Sequence, residues 1–381
     1  MNVPFFDTQR TIEALLPTLE VELEQMMRQA TLVNGAQVRR LEQAICDYTG
    51  ARHAIATGNA TDSLIIALMA AGIGPGDEVI VPCYSFFASL SCVLHVGATP
   101  VFVDIEEGSY AMNADAIEAR ITPRTRAIMP VHLFRQMADM GAIQGIAARH
   151  GLLVLEDSAE GIGMRHDGRH AGLLGAIGVL SFFPTKTLGA LGDAGMILTD
   201  DADYALAARQ IADNGRDTKG IAQRNGFNSR MDDLQALYLR LRLPGLAREI
   251  GWRAHCAALY QHGLAELAPN VAPARLLARP APQTTVDYAY VIEAEQRDAL
   301  AAYLAGRGIG TEVYYPRPLH LQPCCRHMGH REGDFPVAEA ASRRALGLPM
   351  YADLSEDAVM QVCSAISDFY RLSPALKGAK P

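Results

Sequence analysis

Apolar positions in the first fifty residues recur at helical spacing. Leu15, Leu16, Leu19, Val21 and Leu23 mark one helix and Val38, Leu41, Ala44 and Ile45 a second, with Gly35 breaking them, so 10–48 is predicted as two helices. The pattern then changes. Short Val/Ile/Leu runs predict strands at 53–56, 78–81, 100–104, 127–131, 152–156, 177–182 and 196–199, and helical segments at 63–71, 86–96 and 137–150 separate several of them. Apolar strands alternating with helices mean βαβ units and a mostly parallel sheet covered on both faces.

Residues 231–265 form a long helical stretch interrupted by Pro244-Gly245. The span 268–286, with Pro269, Pro273, Pro280 and Pro282, is predicted as loop with at most one short strand. Beyond it come strands at 288–293 and 312–315 and helices at 297–307, 337–346 and 356–370, with 373–381 as a mobile tail. The predicted fold class is α/β: a large domain, 1–245 with its N-terminal helices, built on a mostly parallel central sheet flanked by helices, and a smaller C-terminal α+β domain, 246–381.

Composition narrows the function. The net charge of −8 argues against nucleic acid or an anionic membrane as partner. Seven cysteines, an odd number without a CxxC pair, argue against a disulfide framework or a zinc site, and no metal ligand is assigned. The N-terminus lacks the features of a signal peptide and the longest clean apolar run, near 64–73, is too short to span a bilayer, so a cytoplasmic location is expected.

Of the 34 lysines and arginines only four are lysine: Lys186, Lys219, Lys377 and Lys380. Lys186 follows a strand and the turn at Pro184, within a Gly-rich loop, and has no charged neighbour before Asp193. An amine in an apolar pocket can lose its proton and attack a carbonyl, which a guanidinium cannot; pairing with Asp193 is the plainer alternative. Four other stretches sit at strand ends of the same predicted sheet or border it. Asp157 ends a buried strand, where a carboxylate needs a partner; a protonated ring nitrogen would serve, and so would a helix cap. Asn59-Ala60-Thr61-Asp62-Ser63 opens a helix, whose free amides can seat a phosphate or simply be capped. Phe86 follows a strand and turn and can stack on an aromatic ring or fill the core. The polar loop around Asn228 leads into a helix and can be a solvated connection.

Six stretches together, "VPCYSFFAS…GATPVFVDI", "PVHLFRQMADM", "LVLEDSAEGIG", "SFFPTKTLGALGDAG", "GFNSRMDDLQA" and "GDFPVAEAASRRALGLPM", give a resemblance. The chain resembles the DegT-like sugar-nucleotide aminotransferases, pyridoxal 5'-phosphate enzymes of fold type I in the aspartate aminotransferase superfamily, from Val3-Pro4 to about Tyr370. The resemblance implies that the large domain binds the cofactor, that Lys186 holds it as a Schiff base and then moves protons, and that Asp157 binds the pyridine nitrogen. It implies further that Phe86 stacks on the ring, that Ala60, Thr61 and Ser181 hold the phosphate, and that Glu160 lies beside the phenolate oxygen. Asn228, and with it Arg230 toward the substrate, would reach across a homodimer, and His320 would lie near the sugar.

Three positions depart from the family pattern. Ala60 replaces a glycine, which predicts strain if the turn needs positive φ. Glu160 replaces Gln or His, and its carboxylate would repel the phenolate unless protonated. Thr187 stands where Asn or Pro is common. The implied reaction moves an amino group from glutamate to a keto-sugar nucleotide, a dTDP- or UDP-linked 3-keto sugar by the form of the loop after Lys186. A 4-keto sugar or cyclitol ketone is the enzymatic alternative. A sugar dehydratase is disfavoured because the family carries His at the lysine position, and a sensor without turnover is the alternative of another class.

Overall fold

A computed structural model describes residues 2–265, 274–276, 283–294 and 296–372. The predicted tail and most of the proline-rich span lie outside the described residues. Two helices open the chain as the spacing requires, α1 (Gln9–Gln29) and α2 (Ala36–Thr49). Between them Gly35 lets the chain press against Asp233, which opens a later helix: a Cβ at Gly35 would lie 2.8 Å from both carboxylate oxygens of Asp233, which accept the amides of Gly35 and Gln37.

The alternation then begins: β1 (His53–Thr57), α3 (Ala60–Ala70), β2 (Glu78–Pro82), α4 (Ala88–His95), β3 (Thr99–Val103), β4 (Thr125–Ile128), α5 (Met140–His150) and β5 (Leu153–Asp157). A small hairpin, β6 (Arg165–His166) and β7 (Arg169–His170), leads to β8 (Ile177–Ser181), β9 (Gly195–Thr199) and α6 (Ala202–Ala212). The seven long strands form one sheet in the order β1-β9-β8-β5-β4-β2-β3. Six run the same way, and β9 alone is antiparallel to its neighbours, pairing Thr57 with Gly195 on one side and Ser181 with Gly195 on the other. The carboxyl ends of β1, β2, β5 and β8 therefore share one edge with the start of β9, where open α/β sheets bind ligands. Helices cover both faces, and Val79, Val81, Leu155, Ile177, Val179 and Ile197 are buried among them.

α7 (Asp233–Arg242) and α8 (Leu246–Ala265) follow, separated by a turn at Pro244-Gly245. A second core packs α8, α9 (Arg297–Ala305) and α11 (Glu356–Leu372) on an antiparallel sheet of β10 (Ala274–Leu276), β11 (Tyr290–Ala294) and β12 (Ala345–Leu348), which continues from α10 (Pro336–Arg344). Val3 belongs to this second core, bonding Gly308 and Gly310, although the sequence pattern groups it with the large domain. Phe335, Ala338 and Ala341 pack into the core of the large sheet.

Two predicted elements differ. Residues 312–315 are not a strand: Glu312 makes one isolated bridge to Gly347, and Tyr315 turns to φ 54°. Ala345 and Leu346 leave the helix predicted for them because they pair with Glu293 and Ile292 of β11. Among the described residues no helix is long and apolar enough to cross a membrane.

Candidate active site

The site grows from the shared sheet edge. β5 delivers Asp157 at its last position, buried. Its backbone is clamped by Pro130 and His132, and its Oδ2 accepts Ser89 Oγ of α4 at 2.7 Å while Oδ1 accepts the amide of Ala159. Burial pushes this carboxyl above its usual value, against those two bonds and the charge of Lys186. Immediately behind it, Glu156 and His132 form a fully buried pair at 2.8 Å. Ala138 N donates to His132 Nδ1, so Nε2 carries the hydrogen toward Glu156.

The turn after β8 carries Lys186, whose amide closes it on the carbonyl of Phe183. The side chain is 15% exposed, and Nζ lies 3.1 Å from Glu160 Oε1 and 4.3 Å from the ring centre of Tyr288. Burial pulls the ammonium down, but Glu160, Tyr288 and Asp157 outweigh it and hold the proton on Lys186 above the ordinary lysine range. Burial pushes the Glu160 carboxyl up, opposed by Lys186 and by the amide of Phe134, which donates to Oε2 at 2.6 Å. Phe134 aims that amide by adopting φ 63°, an uncommon conformation for a bulky residue that costs about 1–3 kcal/mol. The partner of Lys186 is thus Glu160 and not the Asp193 of its own loop.

Aromatic rings wall the same space. Tyr315 stacks on Phe134 with centroids 6.1 Å apart and lies 6.5 Å from Phe86, which is 61% exposed. Phe86 precedes α4 instead of beginning it, so its ring is free of the helix.

At the end of β1, Asn59 caps α3 by accepting the amide of Asp62, leaving Ala60 and Thr61 as the first two helical residues. Amides at these positions have no intrahelical partner. Ala60 is helical and not among the residues with positive φ, so the strain expected there is absent. The special geometry falls on Gly195 instead: a Cβ there would meet the carbonyl carbon of Asn59 at 2.5 Å. Ser181 pairs with this glycine, which links it to the same turn.

Glu160 thus pairs with Lys186 directly, Asp157 acts on both through its charge, Phe86 joins them through Tyr315 and Phe134, and Ala60, Thr61 and Ser181 join through Gly195. The loop before α7 packs on the same end of α3 through Ser229, which accepts the amide of Gly58 and donates to Asp62. Asn228 and Arg230, on either side of it, bond to each other, and Arg230 reaches Asp213. His320 is not brought in. Its ring is fully buried against Phe335 at 4.7 Å and Glu339 at 3.2 Å, beside the edge strand β3. Tyr288, Phe134, Tyr315 and Ser89 are site residues the sequence did not single out; the aromatic pair before Pro316 was the one available signal. Among the described residues no cluster could hold a metal.

Three charges meet here, two carboxylates and one ammonium. Glu160 satisfies Lys186, so Asp157 remains a buried carboxylate in need of a cation. A protonated pyridine nitrogen supplies one, and the free end of α3 supplies a phosphate seat, so the residues fit pyridoxal phosphate.

Known proteins show the same arrangement of chain. A regulatory protein of Geobacillus stearothermophilus, described as pleiotropic, is 43% identical, covering 97% of this chain and 99% of its own. The UDP-N-acetyl-3-dehydro-alpha-D-glucosamine 3-aminotransferase of Acidithiobacillus ferrooxidans is 38% identical, covering 96% of this chain and 97% of its own. The crystal structure of DesV from S. venezuelae, in complex with a ketimine intermediate, superposes with a TM-score of 0.93 at 35% identity, covering 98% and 99% of the two chains. The model of the DegT/DnrJ/EryC1/StrS aminotransferase family matches residues 17–367, and the chain belongs to that family.

Proposed function

We propose that the chain is a pyridoxal phosphate-dependent aminotransferase that moves an amino group from glutamate to carbon 3 of a keto-sugar nucleotide. The observation that carries this is the Lys186 amine beside a second buried carboxylate, Asp157, at the ligand-binding edge of the sheet. A relative acting on a 3-dehydro sugar nucleotide supports the choice of carbon.

The bound cofactor supplies an aldehyde that bonds reversibly to amines and a ring that takes up electrons. Ala60, Thr61 and Ser181 would hold its phosphate, Phe86 would cover its ring, and Asp157 would keep the ring nitrogen protonated. Lys186 would hold its aldehyde carbon, and the same amine, when free, would move a proton at the donor's α-carbon. Tyr288, Tyr315 and Phe134 wall the space and limit water.

We also propose a homodimer in which Asn228 and Arg230 complete the partner's site. Both flank a loop anchored by Ser229 beside the phosphate seat. Phe87, Phe183, Leu191 and Phe227, all exposed, belong to segments bordering the site, and an exposed apolar group of this kind suits a subunit interface.

The test is a panel of 3-keto and 4-keto sugar nucleotides and a cyclitol ketone, each incubated with the cofactor-loaded protein and glutamate, with products read by mass. Amination of the 3-keto compounds is expected. A visible cofactor band that glutamate leaves unchanged, with no product from any ketone, would overturn the catalytic reading in favour of a sensor.

A further inference from the structure

The cofactor reading gives Lys186 its role but leaves a difficulty that the geometry itself raises. An amine attacks a carbonyl only when neutral. Lys186 sits 15% exposed in an ion pair that holds its proton in place. Release to bulk water would strand Glu160 as an unpaired buried carboxylate, which is costly.

We propose that Glu160 is a catalytic proton carrier: its Oε1 takes the ammonium proton from Lys186 Nζ, so that the amine becomes reactive without any proton leaving the site. This role rests on the reading of Lys186 as the nucleophile.

The placement suits the transfer. Oε1 lies 3.1 Å from Nζ, within hydrogen-bond reach of a proton donor. Oε2 is occupied by the amide of Phe134, which leaves Oε1 as the oxygen directed at lysine. Transfer turns two buried charges into two neutral groups and so removes the desolvation cost of both. Burial already raises the Glu160 carboxyl, in the direction the transfer requires.

The other groups facing the pair do not compete as acceptors. Asp157 adds charge near Lys186 from β5, but its oxygens are taken by Ser89 and Ala159, and its place in the reading is at the ring nitrogen. Tyr288 offers Lys186 its ring face. Tyr314 and Tyr315 are near Glu160, and burial keeps both phenols protonated. His132 lies beyond Asp157 and is engaged with Glu156.

The step balances. The proton moves from Nζ to Oε1 and leaves a neutral amine and a neutral acid. The nitrogen lone pair forms a bond to the carbonyl carbon while one amine proton passes to the carbonyl oxygen. Glu160 then returns its proton to that oxygen, the carbon–oxygen bond breaks, and water departs. A positive iminium remains opposite the restored carboxylate, so the charge of the pair is the same before and after.

The experiment needs no cofactor. The cofactor-free full chain is exposed briefly to formaldehyde and cyanoborohydride at a series of values from about pH 6 to about pH 9, and methylation at Lys186 and Lys219 is read by peptide mass. Lys219 is exposed and serves as the internal control. Its labelling, measured alongside, supplies the reference slope. Lys186 should label at a rate level within about twofold, because internal transfer gives a pH-independent fraction of free amine. In Glu160→Gln the Lys186 rate should instead climb with pH until the amine, no longer held protonated by Glu160, is neutral. A wild-type Lys186 rate that climbs in parallel with Lys219, or no Lys186 labelling at any pH, would each overturn the proposal. The wild-type slope carries the test even if the variant fails to fold. Pyridoxal phosphate added in a separate arm tests cofactor binding on its own, so failure of that reading is seen apart from failure of this one.

Discussion

At the scale of the residue, chemistry is set by what is buried beside what. Lys186 and Asp157 were legible in the sequence because their identities stand out: one of only four lysines beside 30 arginines, and one carboxylate at the end of an apolar strand. Tyr288 and Phe134 were not, because they meet Lys186 and Glu160 only through long-range packing, and because no sequence rule foretells φ 63° for a phenylalanine. Glu160 was visible as a departure from the family pattern, while its pairing with Lys186 was not. Asp157 permits a prediction in which activity and stability part company. Its raised carboxyl means that the folded protein carries an expensive charge there. Asp157→Asn removes the charge and keeps the shape, so the thermal midpoint should hold or rise. Turnover should nevertheless fall by about a hundredfold or more, because an unprotonated ring is a poor electron sink. Steady-state kinetics and a melting curve on the same preparation check both halves. Near-wild-type turnover would reduce Asp157 to a residue that holds the turn at Ala159 and the Ser89 hydroxyl.

At the scale of the element, α7 and α8 hold the loop that carries Lys186. Arg242 donates to the carbonyls of Thr187 and Gly189 on that loop and to Glu249; Glu249 in turn binds Arg253, which donates to the carbonyls of Tyr288 and Met350. Through this buried relay the lysine and the tyrosine ring against it are fixed by one pair of helices. Arg242→Met should therefore cost about 3 kcal/mol, the scale for breaking a buried pair, and leave two loop carbonyls without donors. A fall in the denaturant midpoint with an unchanged slope is the expected signature. A loss under about 0.5 kcal/mol, the range of surface substitutions, would mean that the loop holds itself. The helices and strands of the large sheet were readable because each is coded by local periodicity. The reversed direction of β9 was not, since a buried apolar run has the same pattern either way up. The same limit explains the two misread segments. Val313-Tyr314-Tyr315 has strand-forming residues but finds no ladder, and Ala345-Leu346 has helical spacing but is claimed by β11.

At the scale of the whole molecule, acid stability and assembly can be tested separately. His170 is fully buried; its Nε2 accepts the amide of Gly163 and its Nδ1 donates to the carbonyl of Ala171, so the ring is held neutral. Burial lowers it from 6.5 to about 4. A lowered histidine means that the unfolded chain binds the extra proton first. Its contribution is therefore complete above about pH 6.5 and is lost as the pH falls toward about 4, up to about 3 kcal/mol. Denaturant midpoints measured across that window should drop less steeply in His170→Gln than in the wild type; parallel curves would exclude this histidine as the cause. Assembly turns on Asn228 and Arg230. Within one chain they bond mainly to each other, and their neighbour Ser229 fastens the loop to the phosphate seat of its own α3. If one loop of a closed two-fold dimer reaches the other chain's site, symmetry requires that both do. Chains bearing Lys186→Ala are expected to be inactive, and so are chains bearing Asn228→Ala with Arg230→Ala. Mixed under conditions that allow subunit exchange, they should regain activity, because each mixed dimer holds one site with an intact lysine and an intact partner loop. If exchange goes to completion, half of the dimers are mixed and each has one good site of two, so recovery should approach about a quarter of wild-type activity. Exchange is followed by mass on differently tagged chains. Complete exchange with activity still at zero would show that the loop serves its own chain, and the shared-site model would fall.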